Sequence, residues 1–273
     1  MSSRVPTFLV TKGYRRFAEF CDACRRDRYV GVCHGAPGVG KTLSARHYAD
    51  WDVVEPLLSS LRAAMQMPIP PAVGDCRALV YTPDVAATPT RLASDLRGLV
   101  FGFNRLVEDA RGPDDDRPFW PDATAVDLLI VDEADRLKMA GLEQVRDFYD
   151  RANFGFGLGL VLIGLPGIEK RLARYPQLYS RVGFVHQYRP LGEEELRFVL
   201  THKWAELGLS FCPDDYTDAE ALGAIARITG GNFRLVQRLF SQIARILRIN
   251  ALQTITQEVV EAAREQLVIG HLP

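Results

Sequence analysis

The sequence has little of what would mark a membrane, secreted or charge-extreme protein. No apolar run in its 273 residues approaches the about 18–20 residues needed to span a bilayer. Met1–Val10 carries no apolar h-region with a small-residue cleavage site, so no secretory leader is expected. Cysteine is scarce. Five residues, an odd number, argue against a disulfide framework and for a reducing, cytoplasmic setting. Cys21 and Cys24 form one CxxC, but neither a second CxxC nor an HxxxH supplies the other two ligands of a zinc site. Their helical spacing with Phe17 and Phe20 predicts packing instead. Neither charge sign dominates: 33 Lys+Arg against 34 Asp+Glu leave a formal charge of −1. Coating of nucleic acid by bulk charge is therefore not expected. Internal repeats and low-complexity tracts are missing as well.

What is present is a regular alternation. Apolar residues recur at helical spacing from Gly13 to Arg28, and a short buried strand, Tyr29–Cys33, follows. A Gly-rich turn leads into a helix over about Lys41 to Ala49. Residues 51–76 read as irregular. Ala78–Tyr81 is a second strand, and Thr88 to Phe101 a helix with Pro89 in its first turn. Residues 109–123 form an acidic loop rich in breakers. A strand over Asp127–Asp132, a helix over Gly141 to Asn153 and a strand over Gly159–Gly164 complete the alternation. Strands apolar throughout, separated by helices, predict a parallel sheet covered on both faces. Past Pro190 the strand signals stop. Glu193–Leu207, Asp218–Thr229, Phe233–Ile249 and Gln257–Val268 read as amphipathic helices. The expected organisation is an α/β domain over 1–190 and a small all-helical one over 191–273.

Two segments carry chemistry. Gly35-Ala36-Pro37-Gly38-Val39-Gly40-Lys41-Thr42 fits GxxxxGK[ST], with a strand before it and a helix after it. Glycines let successive backbone N–H groups curl around phosphates, and the helix N-terminus adds partial positive charge. Lys41 would neutralise γ-phosphate oxygens, and Thr42 would bring a hydroxyl to Mg²⁺. The second segment, Leu128-Leu129-Ile130-Val131-Asp132-Glu133, is an apolar strand delivering two acids at its C-terminal end, the ligand-binding edge of an open α/β sheet. Asp132 is placed to hold Mg²⁺ through water. Glu133 is placed to polarise the water that attacks the γ-phosphate. Asp135 reads as a cap or a solvated residue.

Taken together, the phosphate loop, the Asp-Glu strand, the strand near 160 and the helical C-terminal part resemble the AAA+ ATPases over nearly the whole chain. The resemblance implies a P-loop NTPase with ATP and Mg²⁺ as cofactors. It also implies a ring or helical homo-oligomer of about six subunits per turn, with ATP between neighbours. An arginine from the adjacent subunit would reach the γ-phosphate. Tyr179-Ser180-Arg181-Val182 resembles the Ser-Arg motif that supplies it, so Arg181 is the candidate, with Arg171 and Arg174 as competitors. Gly230-Gly231-Asn232-Phe233-Arg234 resembles the sensor-2 motif, which makes Arg234 the lid arginine. The fixed guanidinium fork suits both tasks. One position departs from the pattern: Gly164 and Leu165 stand where many members place a polar sensor-1 residue. The departure implies slow hydrolysis used as an assembly switch.

The run from Gly164 to Gly183, with the compact phosphate loop, is similar to transposition regulators of the TniB, TnsC and MuB type. This narrower likeness implies an oligomer on double-stranded target DNA that recruits or activates a transposase. The charge pattern permits it. Residues 170–189 hold five bases and no acid, and residues 1–50 nine bases and four acids, whereas 109–127 hold six Asp and two Arg. In related rings, loops after the second strand and after the Asp-Glu strand face a central channel. Here they contain Arg91 and Lys138. No base-reading set stands out, so binding should be largely sequence-independent. Other readings stay open: a replication-initiator or helicase-loader ATPase, and a signalling or defence scaffold without DNA. An initiator usually appends a winged helix, for which the roughly 80 residues after Pro190 leave little room.

Overall fold

The computed structural model describes residues 8–59, 68–112, 125–155, 157–212 and 214–267. Most of the acidic loop expected over 109–123 lies outside them. The chain divides into two compact units. One holds Tyr14–Gly35 and Lys41–Tyr188; the other holds Arg189 onward, Ala36–Gly40 and the N-terminal stretch up to Gly13.

The first unit is built on a sheet of five parallel strands: β1 (Val30–His34), β2 (Ala78–Tyr81), β3 (Leu128–Val131), β4 (Gly159–Gly164) and β5 (Val182–Gln187). Their spatial order is β2-β3-β4-β1-β5. β1 to β4 are buried almost end to end, as strands covered on both faces must be. The order matters for function. β4 lies between β1, which leads into the phosphate loop, and β3, which ends at the carboxylates. Three strand ends therefore converge at the C-terminal edge.

The connections are α1 (Lys12–Asp27), α2 (Lys41–Tyr48), α3 (Trp51–Ser59), α4 (Pro89–Arg111), α5 (Met139–Gly155), α6 (Ile168–Leu172) and α7 (Pro176–Tyr179), with 3₁₀ turns at Pro71–Asp75 and Ala134–Arg136. Phe17 and Phe20 of α1 rest on His186 of β5. Cys21 and Cys24 are buried on the same helix. Burial pushes the Cys24 thiol up to about 12 and the Cys21 thiol well above its ordinary value, so both are packing groups.

Several elements differ from the sequence expectation. β5 went unread because its residues alternate between half-buried and exposed and it contains Gly183 and His186, so it has no continuous apolar run. α3 interrupts the stretch 51–76 expected to be irregular. Pro56 inside it masks the helical signal, but Trp51 and Val54 anchor it in the core. α4 runs to Arg111, ten residues beyond the expected end, because Phe103, Leu106 and Val107 continue the buried stripe past Gly102.

The helical unit contains α8 (Glu193–Glu206), α9 (Tyr216–Thr229), α10 (Phe233–Ile249) and α11 (Gln257–Glu265). Trp204, Ile225, Leu239, Phe240, Ile243 and Val260 form its core. Trp204 Nε1 donates to the buried Asp218 carboxylate, which also accepts from the Cys212 backbone. The caps are Asp215 for α9 and Thr256 for α11, each accepting backbone N–H groups of the first turn. Among the described residues, no helix of either unit is long and apolar enough to cross a membrane.

Candidate functional site

β1 delivers Gly35, the loop turns through Gly38 (φ 82°) and Gly40 (φ 115°), and α2 begins at Lys41. Both φ values lie where a side chain would be strained, which explains the two glycines. Lys41 Nζ donates to the Gly35 carbonyl at 2.6 Å, folding the ammonium back over the start of the loop. Thr42 Oγ1 donates to Asp132 Oδ2 at 2.6 Å. Ninety residues separate this pair in sequence, and the sheet order joins them.

Asp132 is 3% exposed. Its backbone N–H donates to the Tyr81 carbonyl, continuing the β2–β3 ladder, and its Oδ1 accepts from the Glu133 N–H. Only the oxygen shared with Thr42 points away from its own turn. A hydroxyl and one carboxylate are too few donors to cage a metal, but they suit Mg²⁺, which keeps several waters and shares phosphate oxygens. No cluster of three or more His, Cys, Asp or Glu able to hold a metal ion exists among the described residues.

Glu133 sits at φ 52°, ψ 40°, a left-handed conformation costing about 1–2 kcal/mol for a non-glycine residue. Its side chain forms an ion pair with Arg136, which also donates to the Pro83 carbonyl. Glu133 Oε2 is buried and accepts no aligned hydrogen bond. That same oxygen is the one paired with Arg136, so the carboxylate has to turn from the guanidinium before it can orient a water.

Sequence reasoning misplaced one residue of this region. Asp135 is neither a cap nor merely solvated: its Oδ1 accepts from the Leu165 N–H at 3.1 Å. It thereby ties the acidic turn to the end of β4, where a polar sensor-1 side chain was missing. A Cβ on Gly164 would lie 2.8 Å from Asp135 Oδ1 and 2.5 Å from Ile168 Cδ1, so a side chain there would have to displace the tips of both. Arg171 fixes the same turn, donating to the carbonyls of Asp135 and Leu137. The only sequence signal was a third acid two residues after the Asp-Glu pair.

The other arginines differ in their freedom. Arg181 grips Asp150 of α5 with Nε at 2.5 Å and a terminal nitrogen at 2.9 Å, and also donates to the Gln177 carbonyl. Arg146 donates to the same carboxylate. Arg174 is exposed, and no side-chain partner for it occurs among the described residues. Arg91 forms an exposed ion pair with Asp95, one turn along α4, and Lys138 is exposed.

Within the helical unit, the loop segment Ala36–Gly40 meets the start of α10. The Arg234 N–H donates to the Gly38 carbonyl at 3.0 Å, and Asn232 Nδ2 donates to the Pro37 carbonyl at 2.7 Å. Asn232 Oδ1 caps α10 by accepting from Leu235. The Gly-Gly-Asn-Phe-Arg segment therefore holds the loop by its backbone carbonyls, and the Arg234 side chain is exposed.

Residues 24–172 match the AAA domain family. A potential ATP-binding protein of Staphylococcus aureus is 44% identical over 268 residues, covering 96% of this chain and 97% of the relative. Among solved structures, the RuvB Holliday junction branch migration motor of Thermotoga maritima aligns with a TM-score of 0.58 at 18% identity. That alignment covers 96% of this chain and 71% of that one. The ORC2 protein of Aeropyrum pernix, in its ADP form, aligns with a TM-score of 0.58 at 15% identity, covering 97% and 71%. At these identities the likeness is one of fold.

Proposed function

The chain belongs to the AAA domain family, and on that premise we propose that it is an ATPase that assembles on duplex DNA to regulate transposition. The observation that carries the ATPase reading is the 2.6 Å bond between Thr42 and Asp132, which joins the two motifs at one sheet edge. The Staphylococcus aureus relative, described as potentially ATP-binding, supports it. We read 1–190 as the nucleotide-binding domain and 191–273 as its lid.

In this reading the loop Gly35–Gly40 presents N–H groups to the phosphates, and Lys41 neutralises their oxygens once it leaves the Gly35 carbonyl. Thr42 and, through water, Asp132 would hold a magnesium ion, which would supply screening of the phosphate charge. Glu133 orients and deprotonates the attacking water after its carboxylate turns from Arg136. Arg234 acts from the lid. For the trans-acting arginine, the motif resemblance points to Arg181, while the bonding favours Arg174, whose guanidinium is uncommitted.

The transposition part rests on the resemblance of the Gly164–Gly183 run to TniB, TnsC and MuB regulators. The shared fold with a branch-migration motor is compatible with DNA as partner. Arg91 and Lys138 remain candidate phosphate contacts, Lys138 being the one without an ion pair. The expected partners are double-stranded DNA, a transposase and further copies of the chain, in the cytoplasm.

The test is assembly. ATP with Mg²⁺ should convert the protein to large particles on duplex DNA of arbitrary sequence, read by light scattering and negative-stain microscopy. Glu133→Gln should assemble equally yet hydrolyse ATP at least about 10²-fold more slowly. Monomers alone in the presence of ATP and DNA would refute the regulator reading.

A further inference from the structure

The helical unit segregates its charges. Its described residues from Leu191 to Leu267 contain eight Lys and Arg and eleven Asp and Glu. Half of those bases, Arg234, Arg238, Arg245 and Arg248, lie on α10, which holds none of the acids. At about 100° per residue the four arginines fall within an arc of about 80°, along about 21 Å of helix. All four are exposed, and no side-chain hydrogen bond or ion pair occupies their guanidinium groups among the described residues. The opposite face supplies Val236, Leu239, Phe240, Ile243 and Leu247 to the core, so the orientation of the stripe is fixed by packing.

We propose that the α10 stripe, Arg238, Arg245 and Arg248 beyond Arg234, binds the phosphodiester backbone of duplex DNA. This deepens the DNA-binding part of the proposed function and rests on it. An ordinary solvated helix face intersperses both signs and pairs them one turn apart. α8 does so with Arg197 and Glu193, and α11 with Arg264 and Glu261. α10 has neither property. The exposed positions between its arginines are Gln237, whose amide can donate to phosphate oxygens, and Ser241, whose hydroxyl donates to the Gln237 carbonyl. A protein interface of this size would centre on apolar residues, and the stripe offers none between Arg234 and Arg248. Unpaired cations along one line gain most from a polyanion, because each neutralised phosphate releases condensed counterions. Arg234 is the end of the stripe nearest the phosphate loop, so one helix carries both the nucleotide-facing arginine and the DNA-facing ones.

The experiment compares the wild-type chain with the triple variant R238A/R245A/R248A, which leaves Arg234 and the core untouched. Binding to a fluorescein-labelled duplex of arbitrary sequence is followed by anisotropy, with ATP and Mg²⁺, across a salt series. The variant should bind at least about tenfold more weakly, and its slope of log K against log salt should fall by about 2–3. The control R197A/R264A, removing two exposed but paired arginines, should change neither. A triple variant with wild-type affinity and slope would overturn the proposal while leaving DNA binding intact. Wild-type protein that binds no duplex would refute the DNA reading itself. A triple variant that fails to self-assemble with ATP when DNA is absent would assign the stripe to a subunit interface and overturn the proposal.

Discussion

Residues 170–189 and helix α10 both carry several bases and no acid, and the fold treats them oppositely. In the first stretch, Arg171 is committed to two backbone carbonyls and Arg181 to Asp150, a residue that arrives on α5 from 31 positions upstream. In α10, none of the four guanidinium groups has a partner among the described residues. The formal charge of a segment therefore overstates what it offers a ligand. The usable charge depends on whether another element brings an acid or a carbonyl to it. The same distinction separates Arg174 from Arg181, seven residues apart.

The largest effect should come from testing that pair. Arg174→Ala is expected to lower ATP hydrolysis by the assembled protein at least about 10²-fold, with an unchanged melting temperature, as loss of a group stabilising transferred phosphate would. Arg181→Ala should instead lower the melting temperature, because Asp150 loses its bidentate partner. The part-exposed pair limits the loss to about 1–2 kcal/mol. The reverse pattern, with hydrolysis lost in Arg181→Ala alone, would show that the Asp150 pair exchanges on assembly.

A smaller effect is expected at Asp135, whose carbonyl Arg171 anchors. Asp135→Ala should lower the turnover rate roughly tenfold with KM nearly unchanged, since the acidic turn would lose its tie to Leu165 and Glu133 its placement. Asp135→Asn should recover most of that loss, because an amide oxygen still accepts from the Leu165 N–H. Equal loss in both variants would mean that the charge matters and not the bond.

The smallest effect concerns His186, a titrating group packed against Phe17 and Phe20. Burial, then His34 and Arg16, lower its pKa below the ordinary value. The unfolded chain therefore takes up this proton more readily than the folded one. Stability should fall as pH drops below about 6.5, through the depressed folded-state pKa. Urea midpoints at pH 7.5 and 5.5 should differ less for His186→Phe than for the wild type.

Local patterns were legible in the sequence. The phosphate loop is eight consecutive residues, and the Asp-Glu pair ends an apolar strand, so spacing alone announced both. β1 to β4 were readable because burial on both faces writes continuous apolar runs. β5 was not, because an edge strand half exposed, with Gly183 and His186, carries no such run. α3 was hidden by Pro56, and α4 extends beyond its expected end because the buried stripe resumes after Gly102. Asp135 was unreadable for a different reason: its partner is the N–H of Leu165, thirty residues on, and nothing in either neighbourhood records the meeting.

The α/β class, the phosphate loop and the acids were thus legible in the chain's own order, because turn geometry, helix period and strand burial act over a few residues. Which groups meet was not. The bond from Thr42 to Asp132, the tie between Asp135 and the Leu165 N–H and the capture of Arg181 by Asp150 follow from the strand order β2-β3-β4-β1-β5 and the helices packed on it. The free arginines of α10 follow from which face its apolar stripe buries and where the acids of neighbouring helices point. Hydrogen bonds and ion pairs depend on distances of about 3 Å in space, and separation along the chain does not set those distances.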